Sequence, residues 1–205
     1  MSIILLIMNC KKYKYKKDNQ KWVNDIKIPH YYVIGDLELK KEYEIVDDIL
    51  YIKCEDDYNN LPKKVIMSYD VMIRINKDIE YILKTDDDQN LIDTRFMDIV
   101  TNILKKNEYE YGGKIINVER PYLSEYYKIH ETLPKNMIIN KCKYCSGRFY
   151  FLSRKSVIKL LENRSEIEKE YIEDYAIGYY LGEKKILNLK TENYFIDYIY
   201  SNKLI

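Results

Sequence analysis

Three consecutive carboxylates, Asp86, Asp87 and Asp88, follow the apolar run Tyr81-Ile82-Leu83 and the pair Lys84-Thr85. Adjacent carboxylates repel one another unless a cation sits among them, and oxygen ligands of this kind are what Mg²⁺ or Mn²⁺ prefers. A strand ending in such a cluster points towards a metal site whose commonest substrate is a phosphate. A solvated acidic turn accounts for the triplet alone about equally well, because charge runs are usually exposed. The decision rests on the elements that deliver the triplet.

Those elements alternate between strand and helix. Residues 3–8 read as a buried first strand, 30–34 as a second stopped by Gly35, and 48–52 as a third. The Lys-rich segment 11–25 reads as a loop entering a helix. Leu61-Pro62 starts a helix with proline in the first turn, where its missing N–H does no harm; Val65, Tyr69, Met72 and Ile79 share one face at helical spacing. Residues 80–85 form the strand that carries the triplet, and a helix over about 93–105 follows. Residues 109–116 read as a strand interrupted by Gly112-Gly113, and 117–144 as irregular. A strand at 150–152 follows a turn at Ser146-Gly147, Ser153 caps a helix to about 162, 170–181 is a helix closed by Gly182, and 186–200 holds one or two strands. The alternation predicts a single-domain α/β sandwich with a mostly parallel sheet. In such sheets ligands bind beyond the carboxyl ends of the strands, where Asp86 to Asp88 would sit.

Composition bounds the rest. The chain has 205 residues, 46% hydrophobic and 33% charged, with a net charge of +1. No global field draws it to nucleic acid or a membrane, and the size suits one domain with a sizeable core. Ser2 to Met8 is too short for a membrane helix and lacks the flanks of a signal peptide. Tyrosine is overrepresented at 23 residues, alongside much Lys, Ile and Asn; that bias suits an AT-rich genome such as a giant virus or a microbe. Of Cys10, Cys54, Cys142 and Cys145, the last two form a CxxC with no second pair or nearby His to complete a zinc set, and reduced thiols are the expectation.

Four segments occur in order: Asp48-Ile49-Leu50 followed by Asp56, Tyr58, Asn60, Leu61 and Lys64; Lys84-Thr85-Asp86-Asp87-Asp88; Tyr144-Cys145-Ser146-Gly147 followed by Tyr150, Leu152 and Ser153; and Glu173-Asp174 followed by Gly178. In order and separation they resemble the β-1,3-galactosyltransferase family, glycosyltransferase family 31, which includes Fringe and the β-1,3-N-acetylglucosaminyl enzymes. Trp22 falls where the family has a Trp, without the family's preceding Arg. The resemblance covers residues 3 to about 190. It implies a GT-A fold, a nucleotide-sugar donor (usually a UDP-sugar), a glycan or glycoprotein acceptor, Mn²⁺ (or Mg²⁺) and inversion at the anomeric carbon. It implies Asp88 as the direct metal ligand, with Asp86 and Asp87 on the sugar, the ribose or the ion, and Asp174 as the base, Glu173 next. A helix N-terminus favoured by the dipole also accounts for these last two carboxylates. Ser146 and Gly147 would line the sugar pocket or form a plain turn. Lys64 and Lys84 would hold the triplet or the phosphates, or lie on the surface as most lysines do.

The chain departs from the family in three ways. Arg148 stands where a small residue is usual; it could meet a donor carboxylate or phosphate, narrow the pocket or point outward. The family's C-terminal metal-binding His is absent: the only histidines are His30, which reads as structural, and His130, on the acceptor side, so Asn193, Asp197 or water would substitute. There is no membrane anchor or stem, so the chain reads as a bare catalytic domain of a cytosol or viral factory. Two rivals stay open. One is a degenerate relative that binds nucleotide sugar or glycan without turnover. The other is a Mg²⁺-dependent phosphotransferase or nucleotidyltransferase, which would lack the usual Gly-rich phosphate loop.

Overall fold

The opening apolar run forms β1 (Ser2–Met8), and its side chains divide between two cores. Ile4, Leu6 and Met8 enter one; Ile3, Leu5 and Ile7 enter the other. A strand buried on both faces must lie inside a sheet covered on both sides. The computed structural model, which describes residues 1–182 and 185–197, has that arrangement. β2 (His30–Gly35), β3 (Tyr43–Val46), β4 (Ile49–Ile52), α1 (Leu61–Ile75), β5 (Ile79–Asp86), β6 (Gln89–Leu91) and α2 (Arg95–Lys106) follow β1. β7 (Tyr111–Val118) then leads into a short hairpin of β8 (Tyr122–Leu123) and β9 (Ile138–Ile139). β10 (Cys142–Ser153), α3 (Arg154–Leu161), α4 (Arg164–Ile167), α5 (Glu173–Leu181), β11 (Ile186–Asn188) and β12 (Phe195–Asp197) complete the described chain.

The main sheet has eight strands in the order β11-β7-β10-β5-β1-β2-β4-β3. β1 pairs in parallel with β2 and β5, β2 with β4, and β11 with β7. Only β10, between β5 and β7, and the edge strand β3 run antiparallel to their neighbours. The mostly parallel α/β sheet of the GT-A type is therefore present. Helices α1, α3 and α5 cover one face through residues such as Tyr69, Met72, Leu160 and Ile177. α2, Trp22 and Phe195 cover the other. β6 and β12 pair beside the carboxyl end of β5, so the end of the described chain returns to the triplet.

Several boundaries differ from the sequence reading, each for a local reason. Segment 11–25 is not an α-helix but two 3₁₀ stretches, Lys11–Asn19 and Lys21–Asn24, and the first buries no residue. Lysines four apart, such as Lys12 and Lys16, repel, and no apolar stripe offsets them. Ile79 does not continue the face of α1: Asn76 is extended at φ −128° and ψ 97°, ends the helix, and Ile79 opens β5. Ser146-Gly147 is not a turn before a new strand; both lie within β10, whose register on β7 shifts between Cys145 and Tyr150. β3 is absent from the reading because its burial alternates only weakly, and Asp47, with φ +54°, makes the tight reversal into β4. Ser153 does cap α3, its hydroxyl accepting the Ser156 N–H. Residues 198–200 of the expected last strand lie outside the described residues.

α5 lies directly on β10. A Cβ at Gly178 would come within 2.2 Å of the Tyr144 Cβ and 2.6 Å of its Cα. The contact is to backbone, so it cannot be relieved by one rotamer change. Gly178→Ala is expected to cost about 3 kcal/mol and lower Tm by roughly 6–12 °C, because the helix carrying Glu173 and Asp174 must lift from the strand. Calorimetry on the two proteins checks this.

Candidate active site

The site is built around a buried ammonium. Lys84, near the end of β5, is 1% exposed. Its Nζ donates to Glu173 Oε2 at 2.9 Å and to the Gly147 carbonyl at 3.0 Å, and pairs with Asp86 Oδ1 at 2.7 Å. The amine also lies 5.6 Å from the centroid of the Tyr150 ring. Burial alone pulls a lysine pKa down, but Asp86 and Glu173 outweigh it and hold this one above its ordinary value. Glu173 is fixed from its other oxygen by the Tyr150 hydroxyl, which shares a 2.5 Å hydrogen bond with the Tyr69 hydroxyl. Burial raises the Glu173 carboxyl, partly offset by Lys84.

Asp174 follows in the first turn of α5. Its Oδ2 accepts the Gly147 N–H at 2.9 Å and its Oδ1 the Tyr175 N–H at 2.8 Å. Burial raises this carboxyl, with Lys84 and the two N–H groups opposing. Gly147 thus presents both faces of its backbone to the cluster, its N–H to Asp174 and its carbonyl to Lys84. A Cβ there would lie 3.4 Å from Lys84 Nζ, 3.5 Å from Asp174 Oδ2 and 3.6 Å from Asp86 Oδ2. The shift in β10 register frees this backbone from β7. Gly113 of β7 makes the room, since a Cβ there would meet the Phe149 carbonyl at 2.7 Å.

Asp86 ends β5, and Asp87 and Asp88 form the turn into β6. The turn is braced by the Asp87 N–H on the Met8 carbonyl at 3.0 Å. It is also braced by Gln20 Nε2 on the Asp86 and Gln89 carbonyls at 3.1 and 2.9 Å, and by the Trp22 indole N–H on Gln89 at 3.3 Å. Each carboxylate engages one neighbour: Asp86 takes Lys84, Asp87 takes Lys16 at 3.0 Å, and Asp88 takes the Gln89 amide at 2.9 Å. Burial pushes Asp86 and Asp87 up to about 6, against the pull of Lys84 and Lys16.

The expected site residues divide into two sets. Lys84, Asp86, Gly147, Glu173 and Asp174 meet in one cluster, with Asp87 and Asp88 on the adjoining turn and Ser146, half-buried, beside Gly147. Lys64 does not reach the triplet: it is buried and donates to the Asn9 carbonyl at 2.6 Å and Asp56 Oδ1 at 2.8 Å. Asp56 also accepts the Gly35 and Lys11 N–H groups, so this pair ties the ends of β1, β2 and α1 together. Arg148 turns to the far end of the chain, bonding Asp197 at 3.0 Å and the Phe195 carbonyl at 3.3 Å. Asp197 accepts the same Gln89 amide that binds Asp88, at 2.8 Å. Asn193 closes a 3₁₀ turn and has no hydrogen bond to the triplet among the described residues. Lys16, Gln20 and Gln89 were not singled out by the sequence reading, and only the proximity of Gln20 to Trp22 could have flagged one of them; Tyr69 and Tyr150 entered it as a helix-face residue and a motif position, without a role at the site.

Among the described residues no three His, Cys, Asp or Glu side chains converge as a ready-made cation cage. Mg²⁺ and similar ions are usually held by one or two carboxylates together with substrate phosphate. Asp88 and Asp86 fit that role: each commits one oxygen to a neighbour and has a second.

The chain belongs to the galactosyltransferase family, of the glycosyltransferase family 31 type, whose model matches residues 15–192. UDP-GalNAc:beta-1,3-N-acetylgalactosaminyltransferase 1 of Sus scrofa is 27% identical over 150 residues, and that of Homo sapiens 26%. Each alignment covers 73% of this chain and 45% of the relative, so the chain spans about half the length of these proteins. The fold is shared with a 4-diphosphocytidyl-2C-methyl-D-erythritol synthase of Anaerococcus prevotii, at TM-score 0.56 and 11% identity over 99% of this chain and 95% of that one.

Removing one member of a buried ion cluster leaves the others unpaired. Lys84→Met is expected to cost about 3–5 kcal/mol, and Lys84→Met combined with Glu173→Gln to regain part of that, because one uncompensated buried charge is gone. Urea denaturation midpoints of the single and double variants measure both effects.

Proposed function

We propose that the chain moves a sugar from a nucleotide-sugar donor, a UDP-sugar, to a glycan hydroxyl with inversion, forming a β-1,3 linkage. The observation that carries this reading is the Asp174 carboxylate held at Gly147 beside the Lys84–Asp86 pair. A proton acceptor then stands next to the carboxylate ladder where a donor diphosphate would lie. The β-1,3 and UDP elements draw support from the pig and human relatives, each a UDP-GalNAc:beta-1,3-N-acetylgalactosaminyltransferase.

In a single displacement the acceptor oxygen attacks the anomeric carbon from the face opposite the diphosphate. Its proton passes to Asp174, and the electron pair of the breaking carbon–oxygen bond leaves with the diphosphate. The same logic places a carboxylate base on the attacking face in inverting glycosidases. Burial that raises the carboxyl pKa makes Asp174 a stronger base than an exposed aspartate. The Gly147 and Tyr175 N–H groups fix its orientation. Lys84 keeps Asp86 and Glu173 from repelling each other, so the donor side retains its shape. A divalent ion held by Asp88 and Asp86 would neutralise charge on the diphosphate.

Nucleotide release from UDP-, GDP- and dTDP-sugars, with a panel of glycan acceptors, tests the reading. UDP-sugar is expected to be used, and Asp174→Asn to lower kcat by about 10²–10⁴-fold with a modest change in donor KM. Asp88→Ala is expected to weaken UDP binding. No UDP binding with Mn²⁺ present defeats the proposal; UDP-sugar binding without transfer to any acceptor identifies a non-transferring relative instead. Chelation with EDTA is expected to abolish turnover, with Mn²⁺ or Mg²⁺ restoring it. Full activity in EDTA removes the metal from the scheme.

A further inference from the structure

The end of the described chain is tied to the triplet through one side chain, Gln89. Phe195 anchors the approach. It is fully buried, with its ring 5.4 Å from those of Phe96 and Phe149 and 6.2 Å from that of Trp22. β12 then pairs antiparallel with β6, placing Phe195 opposite Leu91 and Asp197 opposite Gln89. Strand side chains alternate, so Asp197 leaves β12 on the same side as Phe195. Residues directly opposite each other on paired strands have neighbouring side chains. The register itself therefore brings Asp197 to Gln89.

The Gln89 amide acts as a fork. Its Nε2 donates to Asp88 Oδ1 at 2.9 Å and to Asp197 Oδ1 at 2.8 Å. Arg148 donates to the same Asp197 oxygen at 3.0 Å. Both carboxylates commit Oδ1, and Oδ2 of each has no hydrogen bond among the described residues. Asp86 and Asp87 each have a lysine, whereas the partner of Asp88 is neutral. Two amide oxygens at the turn also lack a donor among the described residues. They are Gln89 Oε1, in a side chain 6% exposed, and Gln20 Oε1, in one 2% exposed. The nitrogens of the same two amides are spent on Asp88, Asp197 and the Asp86 and Gln89 carbonyls. Buried polar atoms are nearly always satisfied. Two orphan acceptors beside a carboxylate without a counter-charge mark this turn as short of positive charge. Carboxylate and amide oxygens are the ligands that hard divalent cations take.

We propose that Gln89 is a positioning residue that carries the chain end into the cation site, so that Asp197 joins Asp88 as an oxygen ligand of a hard divalent ion such as Mn²⁺. The inference rests on the proposed role of Asp88 as a cation ligand, and adds to it a second carboxylate and the amide that delivers it. Among the described residues no three acidic side chains converge; the fork instead sets two of them side by side on one nitrogen. Arg148 has the complementary part. Two carboxylates sharing an amide repel, and the guanidinium on Asp197 offsets that repulsion until a cation does so. Groups that orient a metal ligand count nearly as much as the ligand itself, and their loss typically costs about 10–100-fold in metal affinity.

Mn²⁺ alone is the probe, titrated into the protein without nucleotide sugar or acceptor and followed through the EPR signal of the free ion. Wild type is expected to bind the ion, and Gln89→Leu and Asp197→Asn each to weaken Kd about tenfold or more. The double variant is expected to be no more than about twofold weaker than Asp197→Asn, because Gln89 acts through Asp197. Losses that multiply in the double variant overturn the positioning role. Asp197 is partly exposed, so Asp197→Asn tests the link even where Gln89→Leu does not fold. Melting in EDTA separates binding from stability: a lowered Tm with unchanged Kd makes the fork a structural tie and overturns the inference, as does a wild type that binds no Mn²⁺. If Asp88→Ala loses the ion while Gln89→Leu and Asp197→Asn keep it, the inference fails and the cation role of Asp88 stands. Weakened Mn²⁺ binding by both variants of a chain that transfers no sugar supports the inference and defeats the transfer reading instead.

Discussion

Lys84 cannot stay charged inside the protein unless anions come to it. A lysine 1% exposed loses nearly all its hydration, and only well-placed carboxylates offset a cost of several kcal/mol per ion. Three separate segments supply the compensation: the end of its own strand through Asp86, the irregular stretch of β10 through the Gly147 carbonyl, and the start of α5 through Glu173. Each of these segments also carries a group to which the proposed transfer assigns a part. The requirement to satisfy one amine therefore sets the relative positions of the triplet, the glycine backbone and Asp174. Tyr150 and Tyr69 complete it by satisfying the remaining oxygen of Glu173.

The sheet itself does not choose a reaction. The 4-diphosphocytidyl-2C-methyl-D-erythritol synthase of Anaerococcus prevotii has the same fold at 11% identity, and fold likeness at that level carries no chemistry. What the fold provides is a place, the crevice beyond the carboxyl ends of β1, β2 and β5. That edge is made rigid twice, by Lys84 on the β5 side and by Lys64 with Asp56 on the β1 and β2 side. Gln20 and Trp22 hold the turn of the triplet from the opposite face of the sheet. The proposed transfer draws on the side chains along this edge.

The sequence was informative where signals were local. The apolar run of β1, the proline-started α1, the Ser153 cap and the strand ending in Asp86 are readable from neighbouring residues, and the structure has them. The ordered motifs also picked out Lys84, Asp86, Gly147, Glu173 and Asp174, which the fold gathers in one cluster. What was not legible depended on partners far along the chain. Lys64 and its partner Asp56 both stand in the first ordered segment, but nothing local shows that they pair or that the distant Asn9 carbonyl accepts from the amine, so the structural role of Lys64 could not be read. Arg148 could be placed only once β12 was seen to return beside β6 and bring Asp197 to it. Lys16 sits in a lysine run with no periodicity to distinguish it from Lys12 or Lys14; only the turn at Asp87 does so.

The spacing of the Lys84 contacts along the chain has a kinetic meaning. The amine meets Gly147 and Glu173 across separations of 63 and 89 residues. During synthesis the lysine and the acidic triplet emerge long before Glu173, and until then they remain hydrated and open. Contacts of such long range form late, since loop closure must precede them. The pocket that would hold a reactive donor is therefore assembled only when α5 docks, and a partly made chain has no half-built version of it to expose.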